Sequence, residues 1–229
     1  MEFKEVMLID KVAGITSFDV IRRLRIIYKD KNKTNKAPKM GHAGTLDPLA
    51  TGLMIIGVGT GTKKLGELIK LDKEYVAEIL IGESRTTSDM EGAVVGAVDA
   101  VEISPEDIVT AVKKLIGTIK LPVSAYSAIK KDGVPMYKRA RESAKLGEIV
   151  TNVPWREMTI YEAEVEDIYV VKVSGIKRMI VKVRFFVASG TYIRSLAEKL
   201  GSDLGYPACL YSLRRTKIGK FRVEDALEV

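Results

Sequence analysis

One carboxylate lies in a short segment bounded by glycines, GHAGTLDPLATG over residues 41–52, together with the only histidine of the chain, His42. Pro48 biases Asp47 away from helical conformations, and glycines allow a tight turn beside it. A loop of this kind can direct one carboxylate at a ligand, where it acts as nucleophile or base. The residues alone leave an ordinary turn as the alternative, because glycines and Asp-Pro pairs mark turns in any protein.

The composition indicates a protein with a buried core and argues against disulfides, a metal site of cysteines and histidines, and a membrane span. The chain has 229 residues, 46% of them apolar, which is enough for a well-buried core. Cys209 is its only cysteine, so we expect no disulfide, no metal site of cysteines and histidines within one chain, and a cytoplasmic location. No apolar run approaches the length of a membrane span, and the charged N-terminus is not typical of a signal peptide.

The net charge of +7 is compatible with nucleic-acid binding, and its distribution is more informative. Directly before the Asp47 loop, one acid (Asp30) accompanies eight basic residues: Arg22, Arg23, Arg25, Lys29, Lys31, Lys33, Lys36 and Lys39. A solvated helix face running into a loop is one interpretation. A surface that contacts phosphates is the other, and we favour it because of this position.

The elements that position these residues follow from hydrophobic periodicity. Strands are predicted over residues 6–9, 53–59, 74–81, 158–169 and 179–188. Outside residues 124–150, three helices are predicted. The first runs over 18–28 with Ser17 as its N-cap, the second begins after Ser104, and the third runs from 191 to 200 and is ended by Gly201. Residues 124–150 form a basic excursion with a turn at Asp132-Gly133 and a helix. We expect an α+β fold with a mixed, mostly antiparallel sheet flanked by helices.

The loop resembles the signature G-H-x-G-x-L-D-P-L-A-T-G of the TruB family of tRNA pseudouridine synthases. Other family motifs have counterparts in KVAGITS (11–17), DKEY (72–75), YSAIK (126–130), GTYIR (190–194) and LRRT (213–216). Val12 stands where the family usually has proline, and Arg85 replaces the first threonine of G-x-x-T-x-T-x-D-x-x-G. The resemblance covers nearly the whole chain and implies the pseudouridine synthase fold, with residues 124–150 as an inserted RNA-binding thumb.

The resemblance also implies roles for individual residues. It makes Asp47 the catalytic carboxylate, Tyr75 the ring that stacks on the flipped base, and Arg194 the partner of Asp47. The implied substrate-binding residues are Tyr75, His42, which fills the space left by the base, Tyr192 and Leu213 of the uracil pocket, Lys11 and Lys130. The residues alone allow plainer interpretations. Tyr75 would be an ordinary strand tyrosine, Arg194 a surface arginine and His42 a polar loop side chain. Tyr192 and Leu213 would be core residues.

The implied activity is isomerisation of uridine 55 in the T-loop of tRNA, without metal or cofactor. We expect a monomer that binds the T-arm of tRNA and needs neither guide RNA nor membrane. Two alternatives stay open: a non-catalytic module that binds or folds tRNA, and the catalytic subunit of a guide-RNA-directed complex. Leu49-Ala50-Thr51 argues against the second, since guide-dependent relatives usually have Lys-Val-Thr there.

Bacterial family members usually continue into a C-terminal PUA domain that contacts the acceptor stem. Since the chain ends at Val229, we expect residues 1–229 to form the catalytic domain alone. That expectation implies weaker tRNA binding with the chemistry retained.

Overall fold

The computed structural model describes residues 2–98, 101–127, 129–146, 150 and 152–229, with only the backbone at residue 131. The chain divides into two compact units: Met1–Val76 with Leu213–Val229, and Ala77–Ser212. Ala128 and residues 147–149 of the predicted thumb lie outside the described residues. No helix in the described ranges is long and apolar enough to cross a membrane.

The first unit is organised around a mostly apolar strand, TGLMIIGV over residues 51–58. Its elements are β1 (Val6–Lys11), α1 (Ser17–Asn32), β2 (Met40–His42), β3 (Thr51–Val58), α2 (Leu65–Leu68), β13 (Phe221–Arg222), β14 (Leu227–Glu228) and the adjoining ends of β4 (Lys73–Ile81) and β12 (Ala208–Ile218). The strand order is β14-β1-β3-β12, with β2 also on β3 and β13 on β12. Strand β3 is buried almost throughout: β1 pairs with it antiparallel and β12 parallel, and Leu53 and Ile55 pack into an apolar cluster with Ala43, Ile218 and Val223.

The second unit contains a long antiparallel hairpin. Its elements are β5 (Glu83–Arg85), β6 (Val94–Ala97), α3 (Pro105–Lys114), β7 (Gly117–Pro122), β8 (Lys130–Lys131), β9 (Val134–Pro135), α4 (Met136–Lys145), β10 (Trp155–Val173), β11 (Ile176–Val187) and α5 (Ile193–Leu204). Within it the order is β4-β11-β10-β7, and β10 pairs antiparallel with both neighbours. Helix α3 packs against β10 and α5.

These elements confirm the predicted fold class, with helices and a large, mostly antiparallel sheet. The thumb segment has the predicted turn, since Asp132 and Gly133 have positive φ between β8 and β9. Helix α4 follows the turn. The description of residues 1–229 as one catalytic domain stays a prediction.

The two predicted helix boundaries near the motifs were wrong. Helix α1 has Thr16 as its N-cap: Thr16 accepts from the Asp19 amide, and Asp19 accepts from the Thr16 amide. Ser17 instead exchanges hydrogen bonds with the Leu46 backbone at 2.8 and 2.9 Å. Helix α5 continues past Gly201 and ends before Gly205, which takes the left-handed conformation at φ 79°.

Gly201 is required inside α5 by packing. A Cβ there would lie 2.4 Å from Ala208 Cβ and 2.7 Å from the Tyr206 carbonyl oxygen. The glycine therefore permits close approach of the helix to the start of β12, and the sequence pattern of a helix stop is misleading here.

Candidate active site

The Asp47 loop of the first unit is held by its backbone on both sides of the carboxylate. It connects β2 to β3, and the Ala43 amide donates to the Ile55 carbonyl at 2.9 Å. Ser17 fixes Leu46, and the Pro48 carbonyl accepts from the Gly14 amide at 2.8 Å. Asp47 itself is half-buried. The residues that flank Asp47 in sequence are thus both fixed by partners remote from the loop.

Arg215 supports the same loop from β12. Its side chain is 1% exposed, and its Nε donates to the Leu53 carbonyl at 2.7 Å. The guanidinium also donates to the carbonyls of Gly44, at 3.3 Å, and Thr45, at 3.5 Å. Gly52 lies opposite Arg215 in the strand pair, with φ 104°. A Cβ at Gly52 would lie 2.3 Å from the Arg215 carbonyl oxygen, so only glycine fits there.

Lys11, predicted to bind substrate, is almost fully buried in this structure at 1% exposure. Its ammonium donates to the carbonyls of Val12 at 2.9 Å, Ile15 at 2.8 Å and Pro48 at 3.1 Å. These bonds connect the first motif to the Asp47 loop. Lys11 therefore fixes the position of the loop through its backbone contacts.

His42 ends β2 at the entrance to the loop and is half-buried. Its Nδ1 is buried and has no hydrogen-bond partner in the described part of the chain. Burial lowers the pKa of His42, the nearby Arg215 charge lowers it further, and the Gly44 backbone partly offsets both. The imidazole is consequently biased towards its neutral form.

Tyr75 and Leu213 of the first unit both lie in strands and are both 8% exposed. Lys73 lies two residues before Tyr75, and its ammonium donates to the Ile69 carbonyl at 2.6 Å. Burial, helped by the Arg215 charge, lowers the pKa of Lys73 to about 8. The Leu213 carbonyl accepts from the Thr51 hydroxyl at 3.4 Å, beside the end of the Asp47 loop.

Arg194 of the second unit is in the first turn of α5 and is 5% exposed. Its guanidinium donates to the Thr87 carbonyl at 2.9 Å, the Ser124 hydroxyl at 3.1 Å and the Tyr126 carbonyl at 3.2 Å. The Asp89 carboxylate lies 3.8 Å away. Asp47 belongs to the other unit, and its pairing with Arg194 stays a prediction.

The other two predicted residues of the second unit differ in exposure. Tyr192 is half-buried at the N-cap of α5, where its amide lies 3.5 Å from Met158 Sδ. Lys130 is exposed in β8 of the thumb segment.

A cavity of about 750 Å³ lies within the second unit, between α4 and the segment from Pro122 to Tyr126. Ala140 and Ala144 of α4 line one side, and the polar lining includes Ser88, Ser124 and Glu198. Burial raises the pKa of Glu198, while the hydrogen bond from Ser88 and the Arg194 charge lower it. Residues that bond or face Arg194 thus also form the wall of this cavity.

Sequence reasoning missed three residues that organise these sites: Arg215, Asp89 and Glu198. Asp89 stands in the G-x-x-T-x-T-x-D segment, and Glu198 follows Arg194 by one helical turn, so both gave a usable signal. Arg215 lies in LRRT, but its carbonyl partners are more than 160 residues away in the chain. No local pattern could have identified them.

Comparison with known proteins identifies the family. A family model described as TruB family pseudouridylate synthase (N terminal domain) matches residues 31–193. The tRNA pseudouridine synthase B of Corynebacterium efficiens is 42% identical over 221 residues, which are 96% of this chain and 69% of that protein. The protein of the same name from Streptomyces avermitilis is 39% identical with the same coverage. The chain belongs to the TruB family of pseudouridylate synthases.

Solved structures support the fold. A chain of a Cbf5-Nop10-Gar1 complex has a TM-score of 0.66 and 24% identity, covering 98% of this chain and 52% of its own length. A chain of an H/ACA RNP bound to a substrate RNA containing 2′-deoxyuridine has a TM-score of 0.64 and 24% identity, covering 97% and 50%. The chain thus spans about half the length of these neighbours, and the likeness concerns the fold alone.

Proposed function

We propose that this protein is an isomerase that converts uridine to pseudouridine in tRNA, at position 55 of the T-loop. The observation that carries the proposal is the Asp47 loop, in which a single carboxylate is flanked by backbone groups held by Ser17, Lys11 and Gly14. The TruB relatives named tRNA pseudouridine synthase B support tRNA as the substrate. The chain spans 69% of their length.

The reaction needs little more than a positioned carboxylate. The bond between N1 of uracil and C1′ of ribose breaks, the base turns, and C5 bonds to C1′. The hydrogen on C5 leaves to solvent while N1 gains one, so no electrons are gained or lost overall. Asp47 acts by attack on C1′, by attack on the base, or by removal of the C2′ proton. No cofactor or metal is part of the proposal.

Tyr75 supplies the stacking surface for the uracil once it has left the RNA stack. Extruding a base costs a few kcal/mol, and stacking on an aromatic ring returns about 1–3 kcal/mol. Tyr75 is held in β4 and mostly buried, so its ring is presented with little loss of side-chain entropy. Tyr192 and Leu213 shape the uracil pocket.

Arg194 and His42 complete the site. In the proposal the Arg194 guanidinium pairs with the Asp47 carboxylate, which keeps that carboxylate ionised when RNA excludes water. The hydrogen bonds from Arg194 to Thr87, Ser124 and Tyr126 hold its guanidinium in one orientation. Neutral His42 occupies the space that the flipped base leaves, since a neutral ring enters an RNA stack at lower desolvation cost than a cation.

Residues 124–150 contact the RNA as a thumb, and exposed Lys130 provides a phosphate contact there. Lys11 acts through the loop that it anchors. We also infer that the chain binds the T-arm as a monomer in the cytoplasm and without a guide RNA.

The test is release of tritium from tRNA labelled at C5 of uridine, followed by mapping of the modified position. Wild type is expected to release tritium and to modify uridine 55, whereas Asp47→Ala and Asp47→Asn release none while still binding tRNA. Asp30→Asn, which removes an exposed carboxylate of the same unit, serves as the matched control and keeps the wild-type rate.

The rivals give different outcomes. Binding of tRNA without release by wild type would favour the non-catalytic module. Release only after a guide RNA is added would favour a subunit of a guide-directed complex. Wild-type release by Asp47→Ala would exclude Asp47 as the catalytic group.

A further inference from the structure

The basic segment before the Asp47 loop folds back on itself to form a small surface cavity, largely open to solvent, in the first unit. The cavity is about 310 Å³, and its charged lining consists of Arg25, Lys29, Lys36 and Lys39. The rest of its lining is Asn35, Ala37 and Pro38. Of the eight basic residues in this stretch, the tertiary structure thus selects four that converge on one space.

Local geometry explains why the four meet. Arg25 and Lys29 are one helical turn apart on α1, so they share a face. The helix ends at Asn32, Lys33 after it takes the left-handed conformation at φ 50°, and the Thr34 amide donates to the Lys29 carbonyl at 3.1 Å. The chain then returns beside α1. The Lys39 carbonyl accepts from the Gly59 amide at 2.8 Å, which fixes the far end of the return.

The lining of the cavity, all of it in the described part of the chain, contains no acidic side chain. Asp19 pairs with Arg22 at 2.7 Å, and neither of these residues nor Asp30 is part of the lining. Arg25 is oriented over the Phe18 ring, 5.9 Å from its centroid. Four like charges around one space repel each other, so the arrangement is more favourable when an anion occupies it.

We propose that this cavity binds one phosphate group of the RNA backbone, outside the Asp47 loop, and that this contact fixes the register of the RNA on the first unit. The inference rests on the proposed function, because it takes RNA as the ligand. Lysines bind phosphate as point charges and Arg25 adds a planar donor group, whereas the lining contains no aromatic ring on which a base could stack.

The experiment measures the Kd of unmodified tRNA transcript as a function of salt for wild type and Lys29→Gln/Lys36→Gln/Lys39→Gln. All three lysines are exposed, so the fold should persist, and circular dichroism and thermal unfolding check this. Loss of one phosphate contact reduces the slope of log Kd against log salt by about one. The matched control is Lys113→Gln/Lys114→Gln/Lys120→Gln, which neutralises three exposed lysines of α3 and β7 and keeps the wild-type slope.

The outcomes separate this inference from the proposed function. Equal slopes for wild type and the triple variant would overturn the phosphate site, even if wild type makes pseudouridine. A reduced slope for both variants would also overturn it, since net charge alone would then explain the effect. Binding of inorganic phosphate by wild type, without any slope change on tRNA, would assign the cavity to free anions instead. Wild type that makes no pseudouridine but shows the expected slope difference would overturn the proposed activity and retain the RNA site.

Discussion

Replacing Arg215 by methionine tests whether a buried guanidinium holds the Asp47 loop. Arg215 is buried on β12 and its Nε bond to the Leu53 carbonyl, at 2.7 Å, has the length of a strong charged hydrogen bond. The bonds to Gly44, at 3.3 Å, and Thr45, at 3.5 Å, are near the outer limit. Methionine fills similar space but donates none of them.

The magnitude follows from these lengths. The Leu53 bond contributes about 1.5–3 kcal/mol, as hydrogen bonds from charged donors do, and the two long bonds together contribute about 1 kcal/mol. Removing a buried charge returns part of its desolvation cost. We expect the free energy of unfolding to fall by about 2–3 kcal/mol, measured by urea denaturation.

A second readout is independent of stability. His42 is the only histidine of the chain, so its ring signals are unambiguous in a proton NMR titration. The Arg215 charge lowers the pKa of His42, and Arg215→Met should therefore raise it. Arg215→Lys keeps the charge but loses the planar donor group, so the low pKa of His42 should persist while stability still falls.

Pseudouridine formation should also fall in Arg215→Met, on the order of a hundredfold, since a misplacement of about 1 Å costs that much. The reasoning would be refuted if Arg215→Met unfolded at the wild-type urea concentration and left the pKa of His42 unchanged. Loss of activity with both other quantities unchanged would refute it too, because Arg215 would then act on the reaction by another route.

Three further predictions concern packing and pH. Gly201→Ala should lower the free energy of unfolding by about 1–3 kcal/mol, because its Cβ meets Ala208, whereas exposed Ser202→Ala in the same helix should not; thermal unfolding measures both. The folded-state pKa of His42 lies below its ordinary value of 6.5, so below that pH the unfolded state binds protons more readily than the folded state. The free energy of unfolding should therefore be highest above pH 6.5 and fall as the pH is lowered through the folded-state pKa of His42. His42→Asn should flatten this pH dependence, measured by urea denaturation. The pKa of Lys73 lies at about 8 instead of 10.5. Between these pH values Lys73 keeps its proton only in the unfolded state, so the free energy of unfolding should rise with pH. Lys73→Met should abolish that rise.

Several elements were predictable because their signals are local. Helix α3 follows Ser104 as predicted: Ser104 accepts from the Asp107 amide, and Pro105 stands at the first position of the helix. Strand β4 alternates as expected over Tyr75 and Ala77, whose side chains are both buried. In each case neighbours within four residues decide the conformation, so the sequence contains the necessary information.

The cap of α1 shows where local signals end. Thr16 and Ser17 are both good caps by type, and Ser17 was the predicted cap. The structure uses Ser17 to exchange hydrogen bonds with Leu46, a partner 29 positions away in the chain. Asp19, three positions after Thr16, is a local signal for Thr16 as the cap, whereas the contact that occupies Ser17 exists only in the folded chain.

The class of protein and its candidate catalytic carboxylate were predictable from the residues alone, because the Asp47 loop is one continuous string with a specific pattern. Tertiary structure alone decided what holds that loop and which cations converge. Lys11, predicted to contact substrate, donates to backbone carbonyls, and Arg215 reaches Gly44 across the first unit. Lys29 and Lys36 share a cavity only because α1 ends at a left-handed residue. The physical reason is common to all of them: a long cationic side chain has many possible partners in sequence, and burial selects among them only when distant segments meet.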